Sequence, residues 1–426
     1  MRGPLRVGAA RIEVTPSRPG ALAGYIARGA ARADAALDPL EAAALAIDDG
    51  HTAMIWIALD AVAVTEHLAA EAARIGRGVA GRELPVVLAA SHTHSGPAHW
   101  LGEFAPGHGA ELDADAVAEL LRRIERVVGE AWNGLAPVRA SWHEPRVSGL
   151  ASRRAYADAP VDVTAGTLVV RDDRGVTAIL VDVPCHATVL GPENTRWSAD
   201  WPGALRRALR ARHPNAVVVF LNGASGDLST RFTRKAATSA EVERLGARVA
   251  DAVLEVVDEE APVAPVLATR SVRLSLPSAR RDPGAARERL TAAADARAGA
   301  DEGHAAVLQS VLDGARIELA VAERVTPDPL DVEARIVRLG HVTWVAMPFE
   351  VFSSTARTLA AEREALRIVS CAGPYEGYLP DDDAFADDTY EARTARVSRA
   401  AEPRARAQLR AALADLDRIH PPSELS

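Results

Sequence analysis

Short apolar runs recur along this 426-residue chain, each giving way within a few positions to polar or turn-forming residues. Val86-Val87-Leu88-Ala89-Ala90 leads into Ser91-His92-Thr93-His94-Ser95-Gly96-Pro97. Ile179 to Val183 leads into Pro184-Cys185-His186, Val217 to Leu221 into Asn222-Gly223, and Val345-Ala346-Met347 into Pro348-Phe349-Glu350. Such runs read as buried strands, because they are brief, rich in β-branched residues and bounded by Gly or Pro. Segments with helical signals lie between them, and that alternation restricts the chain to a layered α/β architecture.

The helical segments have identifiable ends. Asp113 to Trp132 places Val117, Leu120, Leu121, Ile124, Val127 and Val128 on one face, with Asp113 as cap and Gly134 as stop. Glu66 to Ile75 is alanine-rich, Pro202 to Arg212 carries proline in its first turn, and Ser239 to Val256 starts on a capping serine. Glu350 to Glu364 and Ala392 to Ile419 complete the set; in the former, Glu350 suits a first turn, where the macrodipole favours a carboxylate. Further strands are expected over Arg6 to Val14, at Ala42 to Ile47 and Ala53 to Leu59 around the turn Asp48-Asp49-Gly50, and over Ala140 to Ser148. Ala165 to Val170, Thr177 to Val183, and a hairpin of Val332 to Leu339 with Val342 to Met347 follow. Asp282 to Glu323 reads as two helices interrupted around Gly299 and Gly303, a solvated hairpin packed on one side. Length alone suggests roughly two to three domains. No low-complexity linker or repeat divides the chain, so the expectation is α/β: a single layered domain, residues 1–426, of mixed β-sheets flanked by helices, with the hairpin inserted at about 282–323.

A net charge of -9 argues against a general nucleic-acid or anionic-membrane binder. Two cysteines, Cys185 and Cys371, define no disulfide framework. The N-terminus lacks the apolar core of a secretory signal, and no run approaches 18 apolar residues, so the expected location is cytoplasmic.

Chemistry is expected where the strands end, since ligand sites in layered α/β proteins gather there. If extended geometry persists through His92 and His94, the two side chains share a side, about 7 Å apart at their Cα atoms. They can meet at one metal, or one can hold a metal while the other faces the substrate. Taken alone, His-Thr-His is more often two surface histidines in a polar loop, so the metal reading depends on further ligands elsewhere in the chain. His186 and Glu350 also follow apolar strands, and two imidazoles with a carboxylate make a typical catalytic zinc set with a position left for water.

The chain resembles the neutral, non-lysosomal ceramidases, zinc-dependent amidases that cleave the N-acyl bond of ceramide. The residues that carry the resemblance are Arg11-Ile12-Glu13-Val14-Thr15-Pro16, Ser91 to Pro97, Cys185-His186-Ala187-Thr188, Ser198-Ala199-Asp200-Trp201-Pro202-Gly203, Gly226-Asp227-Leu228-Ser229, Met347-Pro348-Phe349-Glu350, Tyr375-Glu376-Gly377-Tyr378-Leu379-Pro380 and Tyr390-Glu391. It implies a Zn2+ ion held by His92, His186, Glu350 and Tyr378, with His94 as acid-base group. Tyr390 and one of Arg153 or Arg154 would face the developing oxyanion. Ser229 falls where the family has a functionally important serine in Gly-Asp-x-Ser-Pro-Asn, although Thr230-Arg231 here replaces Pro-Asn. Asp200 either orients a ligand histidine or caps the following helix.

Other departures bear on substrate. The chain ends soon after the last shared motif, leaving no room for the family's C-terminal β-domain, and aromatic residues make up only 4%. No amphipathic stretch suggests membrane docking. The expected partner is therefore a small acylated molecule, a soluble N-acyl compound, with no nucleic acid and no stable membrane association. A zinc-dependent ester, lactone or lactam hydrolase and a non-catalytic metal-binding scaffold are the alternatives. A serine hydrolase built on Ser229 lacks the Gly-x-Ser-x-Gly elbow.

Overall fold

Three sheets of four or five strands carry the fold, and in each a single parallel pair lies at one edge. The computed structural model describes residues 3–29, 31–105, 110–156, 161–299 and 305–419. The first sheet runs Val86–Ala90, Ala53–Leu59, Glu41–Asp48, Arg6–Glu13, Ala136–Pro137. The second runs Val217–Asn222, Gly175–Val183, Gly166–Asp172, Arg139–His143, and the third Leu267–Leu276, Leu330–Leu339, Val342–Ala346, Leu366–Val369.

All three turn one face to a common core containing Trp56, Val87, Leu180, Val219, Trp344 and Val369. Strands buried on both faces need no polar alternation, which is why these runs are apolar throughout. Helices cover the outer faces: Glu66–Ala80 and Ala114–Asn133 on the first sheet, Trp201–Arg212 and Ser239–Val256 on the second, and Ala401–Ile419 on the third. Trp344 is fully buried against Trp142, edge to face at 5.2 Å between ring centroids, and truncating such a side chain costs about 3–5 kcal/mol.

The edge strands are stitched together at their C-terminal ends. The Ala90 amide donates to Cys371 O at 3.0 Å, Gly373 to Leu88 O at 2.9 Å and Ser370 to Asn222 O at 2.8 Å. His92, His186 and Glu350 therefore leave three different sheets at one place.

Local structure departs from the sequence reading in several places. The stretch expected as one strand from Ala140 to Ser148 is two, Arg139–His143 and Arg146–Arg153, in different sheets. Pro145 lies between them and interrupts the ladder. The helix Ser239–Val256 is capped by Thr238, whose hydroxyl accepts the Glu241 amide, rather than by Ser239. Glu350 sits in no helix: it pairs with Tyr378 in a short parallel ladder, and the helix begins at Ser353. The expected helical region from Ala392 divides into Tyr390–Thr394 and Ala401–Ile419. The hairpin helices are Pro283–Ala298 and Ala305–Glu323; Gly303, Pro421 and Pro422 lie outside the described residues. Among the described residues, no helix is long and apolar enough to cross a membrane.

Candidate metal centre and active-site cavity

His92 is held in a left-handed conformation, φ 63°, just beyond its strand, with its amide bonded to Ala61 O at 2.9 Å. That conformation is uncommon outside glycine and asparagine. Its Nδ1 lies 2.6 Å from Val62 O. A carbonyl only accepts, so Nδ1 carries a proton and Nε2 is turned inward. Burial alone would lower this ring, but Cys371 and Glu350 beside it raise it well above the ordinary histidine value, so with no metal in place a second proton can bridge it to the carboxylate. His186 repeats the device, with Nδ1 2.8 Å from Ser225 O and 2.9 Å from Leu228 O. Backbone carbonyls thus fix both rings, the usual arrangement around metal-ligating histidines.

Both Nε2 atoms meet the same carboxylate oxygen. Glu350 Oε2 lies 2.8 Å from His186 Nε2 and 3.2 Å from His92 Nε2, and all three side chains are at most 2% exposed. A lone pair aimed at a carboxylate oxygen is repulsive unless a proton or cation lies between them. Burial and then the Arg154 guanidinium push His186 down to about 4, so near neutral pH it brings no second proton. Burial alone would raise Glu350, but the two imidazoles reverse this and hold it well below the usual carboxylate range. This donor set fits a divalent cation, and the group of His92, His94 and His186, with ligating nitrogens all within 4.8 Å of one another, can hold a metal.

Tyr378 arrives by register, paired directly with Glu350. Its hydroxyl accepts from Arg154 Nη1 at 2.9 Å, and the same nitrogen lies 3.1 Å from His186 Nε2. A positive group already stands where these donors converge. Arg154 also reaches Glu391 at 3.6 Å, whereas its neighbour Arg153 is exposed. The pair left open in the sequence is separated at the strand end: Arg153 is the last residue of Arg146–Arg153, and Arg154 follows in a bend with its amide bonded to Asp227 O at 2.9 Å.

His94 is placed differently. Its Nε2 is 3.5 Å from His92 Nε2, and its ring packs against Tyr25 at 4.9 Å between centroids. Gly24, at φ 99°, lies so close that a Cβ there would stand 2.5 Å from the imidazole. No backbone carbonyl fixes its Nδ1, which is buried without a hydrogen-bond partner. Loss of solvation, followed by the neighbouring His92 and His186, lowers it well below the ordinary histidine value.

These groups open into a cavity of about 1160 Å³. Ile26, Leu101, Phe104, Val311 and Ile317 give it an apolar wall, and Tyr390 joins from the start of Tyr390–Thr394, its ring edge-on to Tyr378 at 6.0 Å. Burial raises the Tyr390 phenol far above its usual value, so it stays a donor. Val311 and Ile317 belong to the inner hairpin helix, Ala305–Glu323. The hairpin is therefore part of the cavity, not a solvated appendage.

Ser229 pairs with Ser152 at a strand end, and its hydroxyl accepts the Arg231 amide at 3.2 Å; it does not line the cavity. Asp200 is a cap. It accepts the amides of Trp201 at 2.8 Å, Val189 at 3.1 Å and Leu190 at 3.0 Å, while orientation of His186 falls to the Ser225 and Leu228 carbonyls. Tyr375, assigned no role from sequence, donates to Glu350 Oε1 at 2.5 Å and leaves Oε2 to the histidines. Its spacing of three residues from Tyr378 within one motif was the available signal.

No protein-family model and no curated protein matches the sequence. Among solved structures, neutral ceramidase from Pseudomonas aeruginosa superposes with a TM-score of 0.75 at 16% identity, over 95% of this chain and 73% of that one. A ceramidase complexed with C2 matches at TM-score 0.74 and 16% identity, over 95% and 74% of the two chains. The chain has the neutral ceramidase fold.

Proposed function

We propose that this protein is a zinc-dependent hydrolase of amide, N-acyl, bonds acting on a small acylated molecule. The observation that supports the reading is the meeting of two carbonyl-anchored imidazole nitrogens and one carboxylate oxygen within 2.8 to 3.2 Å, a buried donor set suited to a divalent cation. His92, His186, Glu350 and Tyr378 would hold the zinc. A bound zinc ion supplies Lewis acidity that activates water near neutral pH.

The remaining steps belong to the chain. His94, neutral at pH 7, takes a proton from the attacking water as its oxygen bonds to the acyl carbon. Arg154 and Tyr390 donate toward the oxygen where negative charge develops, each contributing on the order of 3 kcal/mol in sites of this kind. His94 then delivers the proton to the nitrogen as the C–N bond breaks, so acid and amine leave in balance with the water consumed. An amine is a poor leaving group until protonated, and an uncharged imidazole able to cycle suits both halves. His94 is the proton carrier rather than a fifth ligand because its ring lacks the carbonyl anchors of the other two histidines.

The test is to strip metal with a chelator, restore zinc, and follow release of amine from short N-acyl amides. Turnover that disappears with the metal, returns with zinc, and is absent in a folded His92→Ala variant is the expected result. Full activity in the chelated protein, or labelling of Ser229 by an organophosphonate, would overturn the assignment.

A further inference from the structure

Four arginines gather around His94, and three of them have no carboxylate partner. Arg28 Nη1 donates to Ala23 O and His94 O, both at 2.9 Å. Arg234 Nη1 donates to the carbonyls of Thr188 and Val189, and Arg231 Nη1 to Arg154 O at 3.4 Å. Among the described residues no carboxylate comes within 4.0 Å of any of the three, although the chain carries a net charge of -9. Carbonyl dipoles satisfy the hydrogen bonds of a guanidinium but leave its net charge in place.

The acids elsewhere around the cavity are mostly answered. Asp388 pairs with Arg393 at 2.7 Å, Asp313 with Arg316 at 3.1 Å, and Glu376 with Arg396. Glu66 and Glu103 come from the segments that also bring Val64 and Phe104. Arg324, just past the inner hairpin helix, also lines the cavity with no carboxylate within 4.0 Å among the described residues, but the cluster of three such arginines lies on the His94 side. Arg231 is the cluster's cavity-lining member, exposed and stacked at 5.5 Å over Phe232, while Arg28 and Arg234 are tied to the carbonyls of Ala23 and Val189 and do not line the cavity. Burial and then the Arg154 charge pull the Arg231 guanidinium below its ordinary value, with Glu391 opposing them. A low-dielectric cleft of one sign focuses its field on an arriving ion.

We infer that the substrate carries a carboxylate on the amine half of the scissile amide and that Arg231 receives it, which makes the substrate class the N-acyl amino acids. The amine half is the part concerned because His94 protonates the leaving nitrogen, and three of the unneutralised arginines cluster on the His94 side, against one, Arg324, beside the apolar wall. The acyl chain then lies along Ile26, Phe104 and Val311. The inference rests on the amide-hydrolase reading above.

The zinc-loaded protein is given N-octanoylglycine, N-octanoylglycinamide and N-octanoylsphingosine. The free acid is expected to exceed the glycinamide in kcat/KM by about 10-fold or more, the scale of one charge-assisted hydrogen bond, and the preference shrinks as salt is added. Arg231→Gln lowers the acid-to-amide ratio about 10-fold through KM, and Arg231→Lys keeps part of it. Arg231 is exposed, so both variants fold, which thermal melting checks. Equal rates on acid and amide, unmoved by Arg231→Gln, would sink this inference and leave the hydrolase standing. Hydrolysis of none of the three would sink both.

Discussion

The floor and the wall of the cavity are built by different physics. The floor, with His92, His186 and Glu350, emerges from three sheets that share one core, and each side chain is at most 2% exposed and anchored. The wall, the inner hairpin helix Ala305–Glu323, is held to its partner helix by an apolar cluster of Leu290, Ala293, Leu312 and Ala315 and by the Arg289–Glu318 pair at 3.0 Å. A floor supported by a dense core is intolerant of change. A wall outside that shared core can vary in sequence while the floor beneath it stays intact, so the two are separable parts of the molecule.

The sharpest way to break that division is at Glu350. Glu350→Gln removes the anion that both imidazoles face, and metal content should collapse while kcat falls by about 10³-fold or more; metal analysis beside steady-state rates reads both. Tyr375→Phe frees Glu350 Oε1 and should weaken zinc binding by roughly 10- to 100-fold, the scale of lost outer support, as measured by competition with a chromophoric chelator. An unchanged zinc affinity would show that the floor does not depend on this hydroxyl.

The wall is tested at Val311, which lines the cavity from the inner hairpin helix. Val311→Trp should reduce kcat/KM for long acyl chains about 10-fold more than for acetyl substrates, the scale of a few methylenes shut out of an apolar pocket, while leaving zinc affinity unaltered; parallel losses at every chain length would contradict separability. The smallest effect concerns the loop beneath His186. Burial raises Asp200 to about 6 from 3.8, so its neutral form stabilises the fold below pH 4 and that stabilisation is lost as pH rises through 6. In Asp200→Asn the stability difference between pH 4 and pH 7 should change by up to roughly 3 kcal/mol relative to wild type, measured by denaturant unfolding, with little change in the pH dependence of zinc binding.

The floor was largely legible in the sequence because strand ends announce themselves. Apolar runs stop at His92, His186 and Glu350, and Gly or Pro marks each exit. Tyr378 needed family resemblance, since a tyrosine in an acidic loop carries no periodic signal. Tyr375 was passed over because its role depends on which oxygen of Glu350 faces the histidines, a matter of three-dimensional register. The wall was hardest. Its helices are rich in alanine and arginine without a clear apolar stripe, and nothing local distinguishes a helix facing water from one facing a large cavity. Arg153 and Arg154 are likewise inseparable by sequence, since what parts them is the place where the strand ends and the chain bends.

Because the candidate ligands depart from three separate sheets, an ion bound there would act as a rivet through three plies. Any ligand that binds only the native state raises stability by mass action, and here the gain would be spread over every layer at once. Loosening one sheet would release the ion, and losing the ion would let all three slide, so metal retention during heating or dilution would report directly on whether the layers are still docked.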